Sequence, residues 1–85
     1  MATDWSVYML LCADNTLYTG ITNNLEKRLE AHNQGRGAKY TKGRSPVTII
    51  YQEDNLTRSA ALKRESQMKK LSRKEKLLLP LTVDK

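Results

Sequence analysis

An α+β fold, with helices packed against a small antiparallel sheet, is what this 85-residue chain predicts. Three observations carry the prediction. Two short apolar runs near the start are separated by turn residues. A third run of strand character arrives only after a helical stretch. Two further helical stretches then close the chain, so strands and helices do not alternate as a parallel sheet requires. The order read from the sequence is β-β-α-β-α-α.

Residues 6–12 are nearly all apolar and partly β-branched or aromatic, and they are bounded by Ala13, Asp14 and Asn15, so strand is the better reading than helix. In residues 17–21, Leu17, Thr19 and Ile21 alternate with Tyr18 and Gly20. Asp14 and Asn15 between the two runs tolerate left-handed conformations, and the pair reads as a hairpin. Thr22, Asn23 and Asn24 are helix-start residues, residues 24–34 have helical periodicity, and Gly35 is a stop signal. Residues 35–45 are basic, carry three glycines and show no period, which predicts a loop. Pro46 precedes a third strand over 47–52, where Val47, Ile49 and Tyr51 alternate with Thr48 and Ile50. A second helix is expected from Thr57 to about Leu71. Ser72 and Glu75 fit a capping box that opens a last helix, expected to end before Pro80.

Length sets one domain, spanning residues 1–85 with a core over about 5–79. The longest apolar run, residues 7–13, is far short of the roughly 20 residues a membrane span needs. Residues 1–5 lack a basic region followed by an apolar stretch, so no secretory signal is expected, and the cytoplasm is the expected compartment. A single cysteine, Cys12, excludes an internal disulfide framework and a Cys-rich zinc site.

Charge is more informative. Fifteen Lys and Arg against nine Asp and Glu give a net charge of +6 and a pI of about 9.7. Residues 57–76 carry eight positive and two negative charges, residues 26–44 six and two, and the remainder one and five. Basic charge clustered in two segments favours a polyanionic partner, nucleic acid ahead of a membrane surface. A solvated lysine-rich surface accounts for the same composition.

Some polar residues fall where the core is expected. At about 100° per residue, Arg28 and His32 share the stripe of Leu25 and Leu29, while Glu26, Lys27 and Glu30 point away. Either the arginine snorkels beside a satisfied buried histidine, or the two form part of a site. Glu65 lies on the stripe of Ala61, Leu62 and Met68 in an otherwise basic helix. It is read either as a buried ion pair, with Arg28 as a candidate partner, or as a metal ligand. Tyr8 and Tyr18 are core residues or proton-transfer groups. A hairpin loop over 14–15 puts them on opposite faces. A loop over 14–16 sets Cys12 opposite Tyr18 and gathers Tyr8, Leu10, Cys12, Tyr18 and Gly20 on one face. There Gly20 leaves room for close approach.

Taken together, these residues resemble a known family. Val7-Tyr8-Met9, ten residues before Tyr18-Thr19-Gly20, resembles the tripeptide pair that names the GIY-YIG nuclease superfamily. Gly20, Ile21, Thr22, Leu25, Arg28, His32 and Asn33 resemble its first helix, and Glu65 matches its metal-binding glutamate. The likeness covers roughly residues 5–79 and is nearest the small stand-alone bacterial members, with which it shares residues 37–41 and 71–73.

The resemblance implies a three-stranded antiparallel sheet flanked by helices and divalent-cation-dependent hydrolysis of phosphodiesters. It assigns Glu65 to one Mg²⁺ or Mn²⁺, Arg28 to the scissile phosphate, Tyr8 to general base, and Tyr18 and His32 to positioning or sharing the proton. Tyr40 matches an additional site tyrosine or histidine of some members. The expected partner is DNA, bound through phosphates by Arg36, Lys39, Tyr40, Lys42, Arg44, Lys63, Lys69, Lys70, Arg73 and Lys74, in structure-selective cutting linked to repair or processing. The tripeptides depart from the family pattern around both tyrosines, and no asparagine follows Asn55, where larger members carry one. A nucleic-acid-binding module without catalysis and a small protein that meets an acidic partner are the alternatives.

Overall fold

The computed structural model describes residues 2–37 and 41–82, with backbone only at 81 and 82. Its elements are β1 (Trp5–Leu11), β2 (Leu17–Thr22), α1 (Leu25–Asn33), β3 (Thr48–Leu56), α2 (Arg58–Lys69) and α3 (Arg73–Thr82). The order matches the sequence reading. The three strands form one antiparallel sheet in the order β2-β1-β3.

The unbroken apolar run of β1 follows from its central place, because it is covered on both faces. Tyr8 and Leu10 point to one core with Cys12 and Val47, closed by Leu25 and Leu29 of α1 and by Tyr18 and Ile49. Val7 and Met9 point to the other, with Met68 of α2, closed by Leu17, Ile21, Ile50, Tyr51, Leu56 and Leu79. A strand buried on both sides has no solvated face to show as alternation.

The hairpin loop is 13–15, one residue earlier than either sequence reading. Cys12 N donates to the Thr16 carbonyl at 2.9 Å, and Asn15 N donates to the Cys12 carbonyl at 2.9 Å. Asn15, at φ 70°, completes a three-residue hairpin in which a turn is followed by a left-handed residue. Leu10, not Cys12, therefore lies opposite Tyr18, and Tyr8 lies opposite Gly20. The parity is the one that keeps both tyrosines on one face. The loop tip is tied down by an ion pair from Arg44 to Asp14 and by Ala13 N donating to the Arg44 carbonyl.

Helix α1 begins where Asn24 accepts from Lys27 N at 3.2 Å. It ends in a paired C-terminal closure, Gly35 N to the His32 carbonyl and Arg36 N to the Ala31 carbonyl, with Gly35 at φ 78°. Asn33 links the end of the helix to the sheet. Its side chain accepts from Val47 N at 2.7 Å and donates to the Val47 carbonyl at 3.3 Å, and so anchors the chain just before β3.

Two expectations about β3 are corrected. The strand runs four residues past Gln52, to Leu56, and its alternation breaks at Ile50. Leu10 pairs with Ile49 while Met9 pairs with Tyr51, so Ile50 is an extra residue opposite a continuous β1. Ile49 thus joins the Tyr8 face, while Ile50 and Tyr51 both serve the Met9 face.

Thr57 caps α2 by accepting from Ala60 N at 3.1 Å. Of the predicted apolar stripe, Ala61 and Met68 are buried but Leu62 is 41% exposed. Arg64 Nε donates to both Glu53 carboxylate oxygens at 3.0 and 2.9 Å, and the Tyr51 hydroxyl donates to the same carboxylate. This clamp fixes α2 against β3 one residue before Glu65. The capping box opening α3 is formed in both directions, between Ser72 and Glu75. Contrary to expectation, α3 continues through Pro80. Proline there forfeits one hydrogen bond near the helix end, and packing of Leu79 on the Val7–Met9 core holds the turn.

Two hydrogen bonds between Asn33 and Val47 tie the end of α1 to the residue before β3. Asn33→Ala removes both bonds and should cost about 2 kcal/mol in denaturant unfolding, at roughly 1 kcal/mol per hydrogen bond. Unchanged stability would show that the anchor is dispensable.

Candidate active site

The site residues come from four elements, β1, β2, α1 and α2. Register brings Tyr8 opposite Gly20 and, on the same face, next to Tyr18. A Cβ on residue 20 would stand 2.7 Å from the Tyr8 hydroxyl oxygen and 3.0 Å from the Tyr18 ring, so only glycine lets Tyr8 lie across β2. The room foreseen at Gly20 is taken by the protein's own tyrosine. Arg28 and His32, four residues apart on α1, face this pair. The Tyr8 hydroxyl oxygen is 2.9 Å from His32 Nε2, and Arg28 Nε donates to it at 3.4 Å. Arg28 also engages the Tyr18 side chain. The Tyr18 ring centre lies 5.1 Å from that of His32 and 6.4 Å from that of Tyr8.

The four groups therefore converge, but they do not line an open concavity together. Tyr8 and His32 are 1% and 0% exposed, while Tyr18 and Arg28 are half-buried. An inner pair sits behind an outer pair.

His32 is closed in by residues that sequence reasoning did not assign a role. Its Nδ1 lies 2.7 Å from the buried hydroxyl of Thr41. A Cβ at Gly37 would come within 2.4 Å of the same Nδ1 and 2.7 Å of His32 Cα, so the backbone itself covers the imidazole. Neither contact leaves a periodic trace in the sequence. Glycine and threonine in an aperiodic basic loop read as loop chemistry.

Arg28 can only donate, so the Tyr8 oxygen accepts from it. One assignment that satisfies every atom has Tyr8 giving its own proton to His32 Nε2. Nδ1 then carries the imidazole proton and donates to Thr41. Burial, helped by the nearby Arg28 charge, pushes His32 below the usual histidine range, so the ring is neutral at pH 7. Burial pushes the Tyr8 phenol up, against the pull of Arg28. Tyr8 is therefore a phenol at neutral pH and not a preformed tyrosinate.

Glu65 forms its ion pair with Lys69, one helical turn on, at 3.3 Å, and not with Arg28. Its charge is nonetheless felt at Tyr8, where it helps raise the phenol. Among the described residues no three His, Cys, Asp or Glu side chains converge, so no closed cage of the zinc type is formed. A single half-buried carboxylate fits a hard cation such as Mg²⁺, which keeps several waters and takes oxygens from a phosphate.

Of the predicted phosphate contacts, Lys42, Lys63, Lys69, Lys70, Arg73 and Lys74 are exposed, and Arg36 is exposed and bonded to Gln34. Arg44 is committed to Asp14 and Thr16. Lys39 and Tyr40 lie outside the described residues. No helix among the described residues is long and apolar enough to cross a membrane.

These features define a class: an α+β domain whose first hairpin and first helix bring two tyrosines, an arginine and a histidine together near a helical glutamate. The family model of the GIY-YIG catalytic domain matches residues 4–77, and the chain belongs to this nuclease-type family. A UPF0213 protein of Natronomonas pharaonis is 53% identical over 76 residues, 89% of each chain. A UPF0213 protein of Clostridium perfringens is 56% identical over 73 residues, 86% of this chain and 78% of that one. The solution NMR structure of a UPF0213 protein from Bacillus halodurans is similar with a TM-score of 0.56 at 37% identity, covering 92% of this chain and 84% of that one. GIY-YIG nucleases commonly use divalent metal ions.

The depressed His32 basicity makes a prediction about stability. The unfolded chain binds a proton near pH 6.5 that native His32 refuses until lower pH, so unfolding free energy should fall as pH drops from about 6.5 towards 5. His32 is the only histidine. Denaturant unfolding across this window should therefore lose most of its pH slope in His32→Gln, and an identical slope in both proteins would contradict a buried neutral imidazole.

Proposed function

We propose that this protein is a single-domain, Mg²⁺- or Mn²⁺-dependent endonuclease that hydrolyses phosphodiester bonds in DNA, in repair or processing. The observation that carries the reading is the Tyr8–His32 hydrogen bond with Arg28 donating into it, set beside Tyr18 within the field of Glu65.

The roles follow from position. Arg28 and Tyr18, the outer pair, meet the scissile phosphate. Arg28 gives its Nε to Tyr8 and also engages Tyr18, and its guanidinium fork suits phosphate oxygens. Glu65 holds the cation, which supplies neutralisation of the charge developing on the phosphate. Tyr8 takes a proton from the attacking water while passing its own to His32 Nε2. A phenol held protonated by burial has no other way to act as a base at neutral pH. The Thr41 hydroxyl can accept from Nδ1, which leaves Nε2 to receive that proton, and Gly37 packs over the ring.

A paired measurement tests this assignment. Glu65→Gln should lower divalent-dependent cleavage of a mixed panel of nicked, branched and duplex DNA by at least about 100-fold, the scale seen when one charge-stabilising group is lost. Unfolding without metal should shift by no more than about 0.5 kcal/mol, because the Glu65–Lys69 pair is an i,i+4 pair with an exposed lysine. Wild-type cleavage by the variant would remove Glu65 from the mechanism. Salt-dependent binding with no cleavage by the wild-type protein would favour a binding module that keeps the fold.

A further inference from the structure

The outer edge of β2 has no neighbouring strand among the described residues, because the sheet order is β2-β1-β3. Along that edge two depressions meet. One is lined by Thr16, Leu17, Arg73 and Lys76, and the other by Leu17, Tyr18, Thr19, Lys69 and Lys76. They share Leu17 and Lys76, so they form one trench from the hairpin end of β2 to Tyr18. The floor is the strand, and the cations stand on one wall, from the end of α2 and the start of α3.

We propose that this trench carries a single strand of nucleic acid towards the active site, an inference that rests on the nuclease reading above. Two of its lining residues also touch members of the candidate site. Tyr18 belongs to the tyrosine–histidine cluster, and Lys69 lies 3.3 Å from the Glu65 carboxylate. Arg73 and Lys76 are three residues apart on α3 and so share a helical face. With Lys69 they make a short row of positive charge that ends beside the candidate metal ligand.

The shape favours one strand over a duplex. A duplex presents phosphates on both sides of a broad cylinder, whereas this wall is cationic on one side over an apolar floor at Leu17. That arrangement suits phosphates on the wall and sugars or bases on the floor. Lys76 was not among the phosphate-binding residues expected from sequence, while Lys63 and Lys74 were, and neither of those lines the trench. Lysines at a sheet edge also discourage strand pairing between molecules, and a purely protective role would leave nucleic-acid affinity unmoved.

The test compares two double variants of equal charge, Arg73→Gln/Lys76→Gln in the trench and Lys27→Gln/Arg58→Gln outside it. Fluorescence anisotropy is read on a labelled single-stranded DNA, the same sequence as RNA, and its duplex, without divalent metal and over a range of salt. The trench pair should weaken single-strand binding about 10-fold and lower the log–log salt slope by about 1.4, at roughly 0.7 for each phosphate that is no longer neutralised. The control pair should leave the slope unchanged. Equal losses in both pairs, or a loss confined to the duplex, would overturn the trench. Cleavage with Mg²⁺ is measured on the same proteins. Trench-dependent binding without any cleavage leaves the trench standing and removes the nuclease reading. Cleavage and binding untouched by the trench pair do the reverse, and a wild-type protein that binds no strand overturns both.

Discussion

The hydrogen bond between the Tyr8 hydroxyl and His32 Nε2 ties the central strand to the first helix, and most of the structure can be read as what is needed to make it. It requires a tyrosine on the α1 side of β1, hence the odd hairpin loop. It requires space across β2, hence Gly20 opposite. It requires a buried imidazole whose second nitrogen is also satisfied, hence Thr41 at Nδ1 and the backbone of Gly37 over the ring. A polar pair this deep is tolerable because each atom has a partner, and leaving one unpaired would cost about 1–3 kcal/mol.

The same bond decides what chemistry is available. Burial keeps Tyr8 protonated and His32 neutral, which are opposite departures from the charged forms. Two neutral groups in contact form a proton relay, whereas a tyrosinate beside an imidazolium would form an ion pair. The charged members, Arg28 and Glu65, stand further out, where water or phosphate can share their desolvation. The Arg64–Glu53–Tyr51 clamp belongs to this division of labour, since it holds α2, and with it Glu65, at a set position against the sheet.

Much of this was legible in the sequence, and the reasons differ from residue to residue. Element order came from patterns that local physics enforces: the caps at Asn24, Thr57 and Ser72, the stop at Gly35, the turn at Asp14 and Asn15. Arg28 and His32 declared themselves by occupying an apolar stripe, which solvent exposure alone would not select. What stayed hidden depends on tertiary placement. The extra residue at Ile50 shows only once β3 is laid against β1. Helix α3 outlasts Pro80 because Leu79 has a core to fill. Leu62 fits a helical stripe that the sheet does not fully cover. Thr41 and Gly37 act across a loop on His32, a separation over which no periodicity operates. The roles of Lys39 and Tyr40 fall outside the described residues.

The central claim is the direction of the proton between Tyr8 and His32. Nitrogen-15 chemical shifts and long-range couplings of the His32 imidazole at pH 7 read it directly. The account predicts a neutral ring with the proton on Nδ1 and Nε2 as the acceptor. A protonated Nε2, or an imidazolium at that pH, would contradict it.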